Sequence, residues 1–540
     1  MTKVQSTRTG SDLRPEPTRT LDRPSEPRRP ISTRTVLALP LLLALAIGAS
    51  WFLTRVPSLE RTFLVTAGVL LAWCALLWAA ATRSNRSLQI EFVARPQHWV
   101  QALTQATLIL YWALNTPLVF AFFPFIVIQL AFAYAVESLL NWTRRDVHTL
   151  GFGPFPIVFS INLFLLFKPD WFYWQFVLIA LGFSAKEFVR WHRDGKSAHI
   201  FNPSSFPLAV FSLVLLLTGT TNATLGNTIA NTIADTPHIY LAIFLIALPV
   251  QILFGVARVT LWAALTMYVA GLLYLAATGT YLFYDAYIPP AVFIGMTLLV
   301  TDPSTSPRTE LGRFAFGALY AIGTMVLFVL LERVHAPTFY DKLLPIPILN
   351  LIVRRIDLVA RSRALSMLDP ARIGRALAPS RRNLAITGIW AAIFAGMYAV
   401  QGVGDRHPGQ YVPFWHQACG AGSTRACTYT ATLTVVLCEK GSGWACNETG
   451  ILRRRLGGPG EAEFRRACDL GFALGCENLT RAGADPRTLT SGPPALRDLP
   501  IVLNGSKPPL REHDPSKLYA MACEQGWPGA CGGWGAETPR

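Results

Sequence analysis

The sequence predicts an all-α protein in two parts: a polytopic helical membrane domain, then a set of disulfide-stapled helical hairpins. Three observations predict this. The 540 residues are 52% hydrophobic and only 15% charged, with mean hydropathy +0.36, which is too apolar for an ordinary soluble domain. Apolar stretches near the bilayer-crossing length of about 20 residues recur along the chain. Finally, Cys74 lies inside an apolar stretch, while the other eight of nine cysteines all follow residue 418, which marks a separate domain.

The net charge of +16 does not indicate nucleic acid. The basic residues fall in blocks beside apolar stretches, the positive-inside pattern of membrane proteins, and no nucleic-acid module is present. Residues 1–34 are rich in Arg, Pro, Ser and Thr and predict a disordered cytoplasmic tail. The membrane domain is expected over 35–403. Its spans are expected at 35–54, 62–82, 98–117, 118–140, 151–167, 172–190, 204–218, 238–256, 259–277, 283–300 and 314–332. Residues 334–383 carry nine Lys and Arg against three Asp, so they are expected on the cytoplasmic side. A short crossing at 338–353 restores the alternation, and a last helix follows at 384–402. That makes about thirteen crossings, with the N-terminus cytoplasmic and the C-terminus outside.

Residues 404–540 repeat one pattern four times: Ala or Leu, then Cys-x-x-Gly-x-x-x, then Ala or Gly, then Cys. The pairs are Cys419/Cys427, Cys438/Cys446, Cys468/Cys476 and Cys523/Cys531. Eight residues of unbroken helix span about 12 Å, whereas a disulfide holds its Cα atoms roughly 4.4–6.8 Å apart. Each bridged pair therefore needs a break, and the Gly three residues after the first Cys supplies a left-handed cap. The spacing fits neither zinc nor C-x-x-C-H haem attachment, so no metal is expected. Disulfides imply an oxidising compartment. The pattern resembles Sel1-like helical repeats in their cysteine-paired form, over about 412–535. That resemblance implies an α-solenoid that binds a periplasmic protein partner.

Within the membrane domain two stretches interrupt apolar spans with Pro, Asn and Asp. Broken backbone at membrane depth survives only where it is buried in protein or lines a cavity, and it is a pointer to a ligand site. His199-Ile200-Phe201-Asn202-Pro203-Ser204-Ser205-Phe206 resembles the H-x-F-N-P-A-A-F signature of the RnfD/NqrB family. Thr301-Asp302-Pro303-Ser304-Thr305-Ser306-Pro307 resembles that family's T-D-P-x-S-S/T-P signature, with Gly312, Gly317 and Gly323 following as they do there. The resemblance covers about 95–360. It implies a bacterial inner-membrane subunit of an ion-coupled electron-transport complex, with FMN or riboflavin bound among inverted repeats of helices and redox partner subunits beside it. The family attaches FMN to a Thr in an S-G-A-T motif on an outside loop. The matching loop, 218–237, is Thr-rich but lacks that motif, which argues against covalent attachment.

The residues themselves allow two readings. Asn-Pro and Asp-Pro cap helices at an interface, or they build an anion or flavin site. On the second reading the candidate cofactor residues are Lys196, His199, Asn202, Pro203, Ser204 and Ser205, with Thr301, Asp302, Ser304, Thr305 and Ser306. Asn202 would offer amide donors, and Lys196 and His199 positive or switchable charge. Arg95 to Trp99, with Gln101 and Gln105 on a polar stripe, would line a cavity or lie at the interface. No catalytic residue is assigned. A non-redox transporter and a membrane-anchored scaffold are the alternatives.

Overall fold

The structure is a computed structural model that describes residues 33–532 apart from 194, 366–378, 401–402, 404–406, 506–508 and 528. All but the last two residues of the expected 1–34 tail lie outside the described residues. The chain is mostly helical. Its membrane-type helices are α1 (Thr33–Ala49), α2 (Pro57–Arg83), α3 (Pro96–Asn115), α4 (Pro117–Phe120) and α5 (Phe123–Arg144). They continue as α6 (Pro154–Phe164), α7 (Tyr173–Phe188), α8 (Ser205–Thr218), α9 (Gly226–Ala234) and α10 (Ile239–Phe254). The last are α11 (Ala257–Thr278), α12 (Pro290–Ile294, continued as a π-helix to Leu299), α13 (Glu310–Arg333), α14 (Pro345–Ala360) and α15 (Pro379–Ala399).

Thirteen crossings were expected. Among the described residues, five helical segments are long and apolar enough to cross a membrane: Thr35–Leu53, Pro57–Arg83, Pro117–Arg144, Ala257–Thr278 and Glu310–Arg333. The bent pair α9–α10, with a 99° break, raises this to six. The reason for the difference is local. The stretches read as spans at 151–167, 204–218 and 283–300 fold as short helices, Pro154–Phe164, Ser205–Thr218 and Pro290–Leu299. The 338–353 stretch is a 3-10 turn leading into α14. Continuous apolarity does not separate a buried short helix from a full span. The outward faces of α1 and α2 expose Leu42, Val65, Val69 and Leu76, as helices in lipid do.

Two helical units repeat one order. In each, a first helix (α3, α10) is followed by a long apolar one (α5, α11), a short one beginning with Pro (α6, α12), a further helix (α7, α13) and a second short one (α8, α14). Corresponding elements pack alike: α3 on α6 and α10 on α12, α5 on α7 and α11 on α13. The units also meet through matching members, α3 against α10 and α8 against α14. They run in opposite directions, because the start of α3 (Gln97, His98) and the end of α10 (Leu253, Phe254) line the same cavity. Two small sheets frame that end. The parallel pair is β1 (Gln89–Phe92) with β2 (Val147–Leu150), and the antiparallel hairpin is β3 (Arg190–Arg193) with β4 (Lys196–His199).

The C-terminal domain carries the four expected disulfides, Cys419–Cys427, Cys438–Cys446, Cys468–Cys476 and Cys523–Cys531, with Cα–Cα distances of 4.5–4.8 Å. Gly422, Gly441, Gly471 and Gly526 all have positive φ, so each supplies the left-handed turn between paired helices. The domain has its own core around Trp415, Leu437, Trp444, Leu499 and Leu518. It sits on the 279–290 loop ahead of α12. Arg425 donates to the Tyr281 and Leu282 carbonyls and pairs with Glu332, while Tyr429 stacks on Tyr284 at 4.1 Å. His407 packs between Tyr281 and Tyr287, and burial pushes its imidazole down to about 3, so it stays neutral there.

Candidate functional site

The site is built where the short helices of the two units end. Asn202 Oδ1 accepts from the Ser204 and Ser205 N–H groups (2.9 and 3.1 Å) and from Ser204 Oγ (2.8 Å). These bonds satisfy donors at the start of α8 that have no partner within the helix. Asn202 Nδ2 donates to the Leu299 carbonyl at 3.0 Å, at the far end of the π-turn of α12. The Asn202 N–H donates to Asn350 Oδ1 at 3.2 Å. One side chain thus joins the start of α8 to the end of α12. Its polar atoms are engaged internally, so Asn202 positions the wall of the cavity it lines. Helix α7 passes so close that a Cβ on Gly182 would lie 2.4 Å from the Pro203 carbonyl; only glycine fits there.

The second motif folds around Asp302. Its carbonyl accepts from Ser306 N (3.0 Å) and Ser306 Oγ (2.7 Å), and Oδ1 accepts from Ser304 N (3.0 Å). Oδ2 takes the Thr305 hydroxyl at 3.1 Å and lies 3.3 Å from His199 Nε2. That last contact joins the two motifs. Burial raises the Asp302 carboxyl, but His199, Ser304 and Thr305 outweigh it and hold the group below its ordinary value. Behind the loop, Asp357 accepts from the Arg308 and Thr309 N–H groups and pairs with buried Arg193 at 2.7 Å. This pair ties the β3–β4 hairpin under the second motif.

A cavity of about 420 Å³ opens between these elements. His199, Asn202, Pro203, Ser204, Asp302 and Ser304 line it. Ser205, Thr301, Thr305 and Ser306 do not. They are buried behind the wall, where Thr301 bonds the Thr297 carbonyl and the other three bond back into their own motifs. Lys196 stands in β4, and its side chain lies outside the described residues. The opposite wall is supplied by Arg95, Gln97, His98, Gln101 and Lys186, with Lys186 held by Glu137 at 2.8 Å. The polar stripe of α3 therefore lines the cavity in its first turns. Deeper in, Gln105 is fully buried and donates to Ser160 Oγ at 2.8 Å. The stripe was visible in the sequence; its partners across the cavity were not, because they come from helices remote in the chain.

Arg95, His98, Gly153 and Lys186 also line a smaller chamber of about 210 Å³. Among the described residues no group of three or more His, Cys, Asp or Glu side chains is placed to hold a metal ion. No protein-family model matches the chain, and no curated protein is found to be similar to it.

Proposed function

We propose that the cavity binds a flavin, FMN or riboflavin, without a covalent link, and that the protein is an electron-transfer subunit of the inner membrane, of RnfD/NqrB type. The observation that carries this reading is the meeting of the two signature motifs. They lie about 100 residues apart in the chain, yet His199 and Asp302 touch across one cavity. The volume falls in the range of small-molecule and cofactor sites, and the wall is more polar than most, with Arg95, Gln97, Gln101, Lys186 and Asp302 facing Ile157, Leu253 and Phe254. A bound flavin would supply one- and two-electron chemistry at its ring. The chain's own part is narrower. Gln97, Gln101, Ser204 and Ser304 offer hydrogen bonds to ring edges, Leu253 and Phe254 exclude water, and His199 stands beside Asp302 on the wall.

The flanking domains fit this reading. The cavity opens at the end that carries Arg95, Arg145, Lys186 and Arg190, which corresponds to the cytoplasmic side. The disulfide domain sits on the 279–290 loop at the other end of α12, which corresponds to the periplasm. There it acts as Sel1-like repeats that recruit a periplasmic protein partner. Electrons reach and leave the flavin through partner subunits, since the sequence carries no C-x-x-C cluster set or Rossmann glycine motif.

The test is a visible spectrum of the full-length protein purified in mild detergent, before and after acid precipitation. A flavin spectrum released by acid is expected. A protein that is colourless, and stays so after flavin is added, sinks the redox reading. The second reading, a non-redox transporter, then leads, because oppositely directed units with broken helices also suit transport.

A further inference from the structure

The C-terminal domain holds a cavity of its own, of about 270 Å³, which shares no residue with the two chambers described above. Its floor is two buried indoles, Trp444 and Trp527, set edge to face with ring centroids 5.3 Å apart. His416, Gln417, Ser491 and Pro493 form its exposed rim. The floor and one wall are tied together. Trp444 Nε1 donates to the Gly492 carbonyl at 2.8 Å. Just before that wall, the buried amides of Asn447 and Asn478 both donate to the Thr490 carbonyl (3.2 and 2.7 Å), and Asn478 accepts from the Thr490 N–H at 2.9 Å. The site is therefore built before any ligand arrives, which lowers the ordering cost of binding.

The charge around this cavity has one sign. No Lys or Arg lines it, and a carboxyl stands behind its rim. Glu448 lies one turn beyond Trp444 on the Gly443–Arg455 helix, and its Oε1 accepts from the rim hydroxyl of Ser491 at 2.8 Å. Among the described residues no cation closes an ion pair with it. Arg455, two turns further along the helix, acts on it only from a distance. A carboxylate shielded from water and given no cation costs stability, so the charge is kept there against the interest of the fold. Glu448 does not itself line the cavity, so a ligand feels its charge without touching its oxygens. The Gly492 carbonyl is already taken by Trp444. What the cavity offers is aromatic rings and negative charge rather than a ring of acceptors. The cation suited to it carries no N–H of its own.

We propose that this cavity binds a quaternary ammonium group of the choline kind, held by Trp444 and Trp527 with the charge of Glu448 behind them. Indole rings attract such a cation through their electron-rich faces. Pro413 and Pro493 complete the apolar surround for its methyl groups. The proposal stands apart from the flavin reading of the membrane site. The same group is carried by free choline and by the headgroup of phosphatidylcholine, and the test separates the two sources.

The experiment is isothermal titration of the full-length protein in a maltoside detergent with three probes: choline, its uncharged carbon isostere dimethylbutanol, and a short-chain phosphatidylcholine. Choline is expected to bind at least about tenfold tighter than the alcohol, the size of a partly desolvated cation–π contact. Glu448→Gln keeps the shape of the site and should reduce that preference. Trp527→Leu should abolish choline binding. Equal affinity for choline and the alcohol overturns the proposal and leaves a plain apolar pocket. A preference that survives unchanged in both variants also overturns it, because binding then lies elsewhere. So does a failure of all three probes to bind. Phosphatidylcholine bound more tightly than choline supports the proposal with a lipid headgroup as the source. Choline bound without the lipid supports it with a free solute.

Discussion

The two ends of the paired units are built from matching parts and finish differently. At the end of α12 and the start of α8 the chain leaves a cavity of about 420 Å³. At the end of α6, among the described residues, Asn162 and Leu166 line a gap of only about 10 Å³. There the 221–225 segment closes over the frayed end of α6: Leu225 N bonds the Leu166 carbonyl at 2.8 Å, and Lys168 N bonds the Ala223 carbonyl at 2.9 Å. Gln175 accepts from Phe167 N and donates to the Leu165 carbonyl. The buried pair Asp341–Lys342 fills what remains, at 2% and 4% exposure, with Lys342 Nζ 4.1 Å over the Phe339 ring. The residue three positions before the short helix differs too: Asn202 before Ser205, Lys342 before Pro345. Asn202 is short and bonds sideways to the opposing helix end. Lys342 is long and carries its own charge into the gap. A broken helix therefore supplies the frame of a site, and the filling residue decides whether a site remains.

The largest effect should come from emptying the closed end. Lys342→Ala leaves Asp341 buried without its cation, and unfolding in detergent should show a loss of about 3–5 kcal/mol. The double change Asp341→Asn with Lys342→Met should recover most of it. A neutral single variant would mean that water already reaches this end, and the contrast with the open end would collapse. At the open end, Asn202→Ala removes the cap of α8 and the bond to Leu299. It should cost about 2–3 kcal/mol and lower retention of any bound chromophore through purification.

Protonation separates the open end from the C-terminal domain, because the two respond with opposite sign. In the C-terminal domain, burial raises the Glu448 carboxyl from 4.5 to about 7, against the bonds it receives from Ser491 and Asn447. The folded state then holds the proton more tightly than the unfolded one, so stability falls as pH rises from about 4.5 to 7. Glu448→Gln should flatten that slope and stabilise the domain at pH 8 by about 1–2 kcal/mol. At the open end Asp302 is held low. Its contribution is present above the ordinary carboxylate range and lost as pH falls through its lowered value. Asp302→Asn should remove that acid-side loss, with a change at neutral pH of about 1 kcal/mol or less. A thermal-unfolding series from pH 3 to 8 on the three proteins reads both slopes.

How much of this was legible in the sequence follows from the range of each interaction. The cysteine pairs were legible because each lies eight residues apart with a glycine turn between. The two membrane motifs were legible as breaks, and their helix-capping role at Asn202 and Asp302 is local in the same way. The count of crossings was not. An 11-residue buried helix such as Pro154–Phe164 is as apolar as part of a true span, and only packing separates them. Long-range partners were equally hidden. Arg193 finds Asp357, 164 residues away, and Arg425 finds Glu332 and the Tyr281 carbonyl. Nothing in the local pattern of either arginine distinguishes it from a solvated one.

The stapled hairpins have a consequence for the order in which the chain matures. Eight cysteines allow roughly a hundred pairings. Here every correct partner is the next cysteine made, and each pair is complete before the first member of the following pair exists. An oxidant that acts on the chain as it emerges therefore reaches the native set by nearest-neighbour closure alone, without a reshuffling enzyme. Refolding the reduced, full-length chain offers all eight thiols at once and loses that advantage.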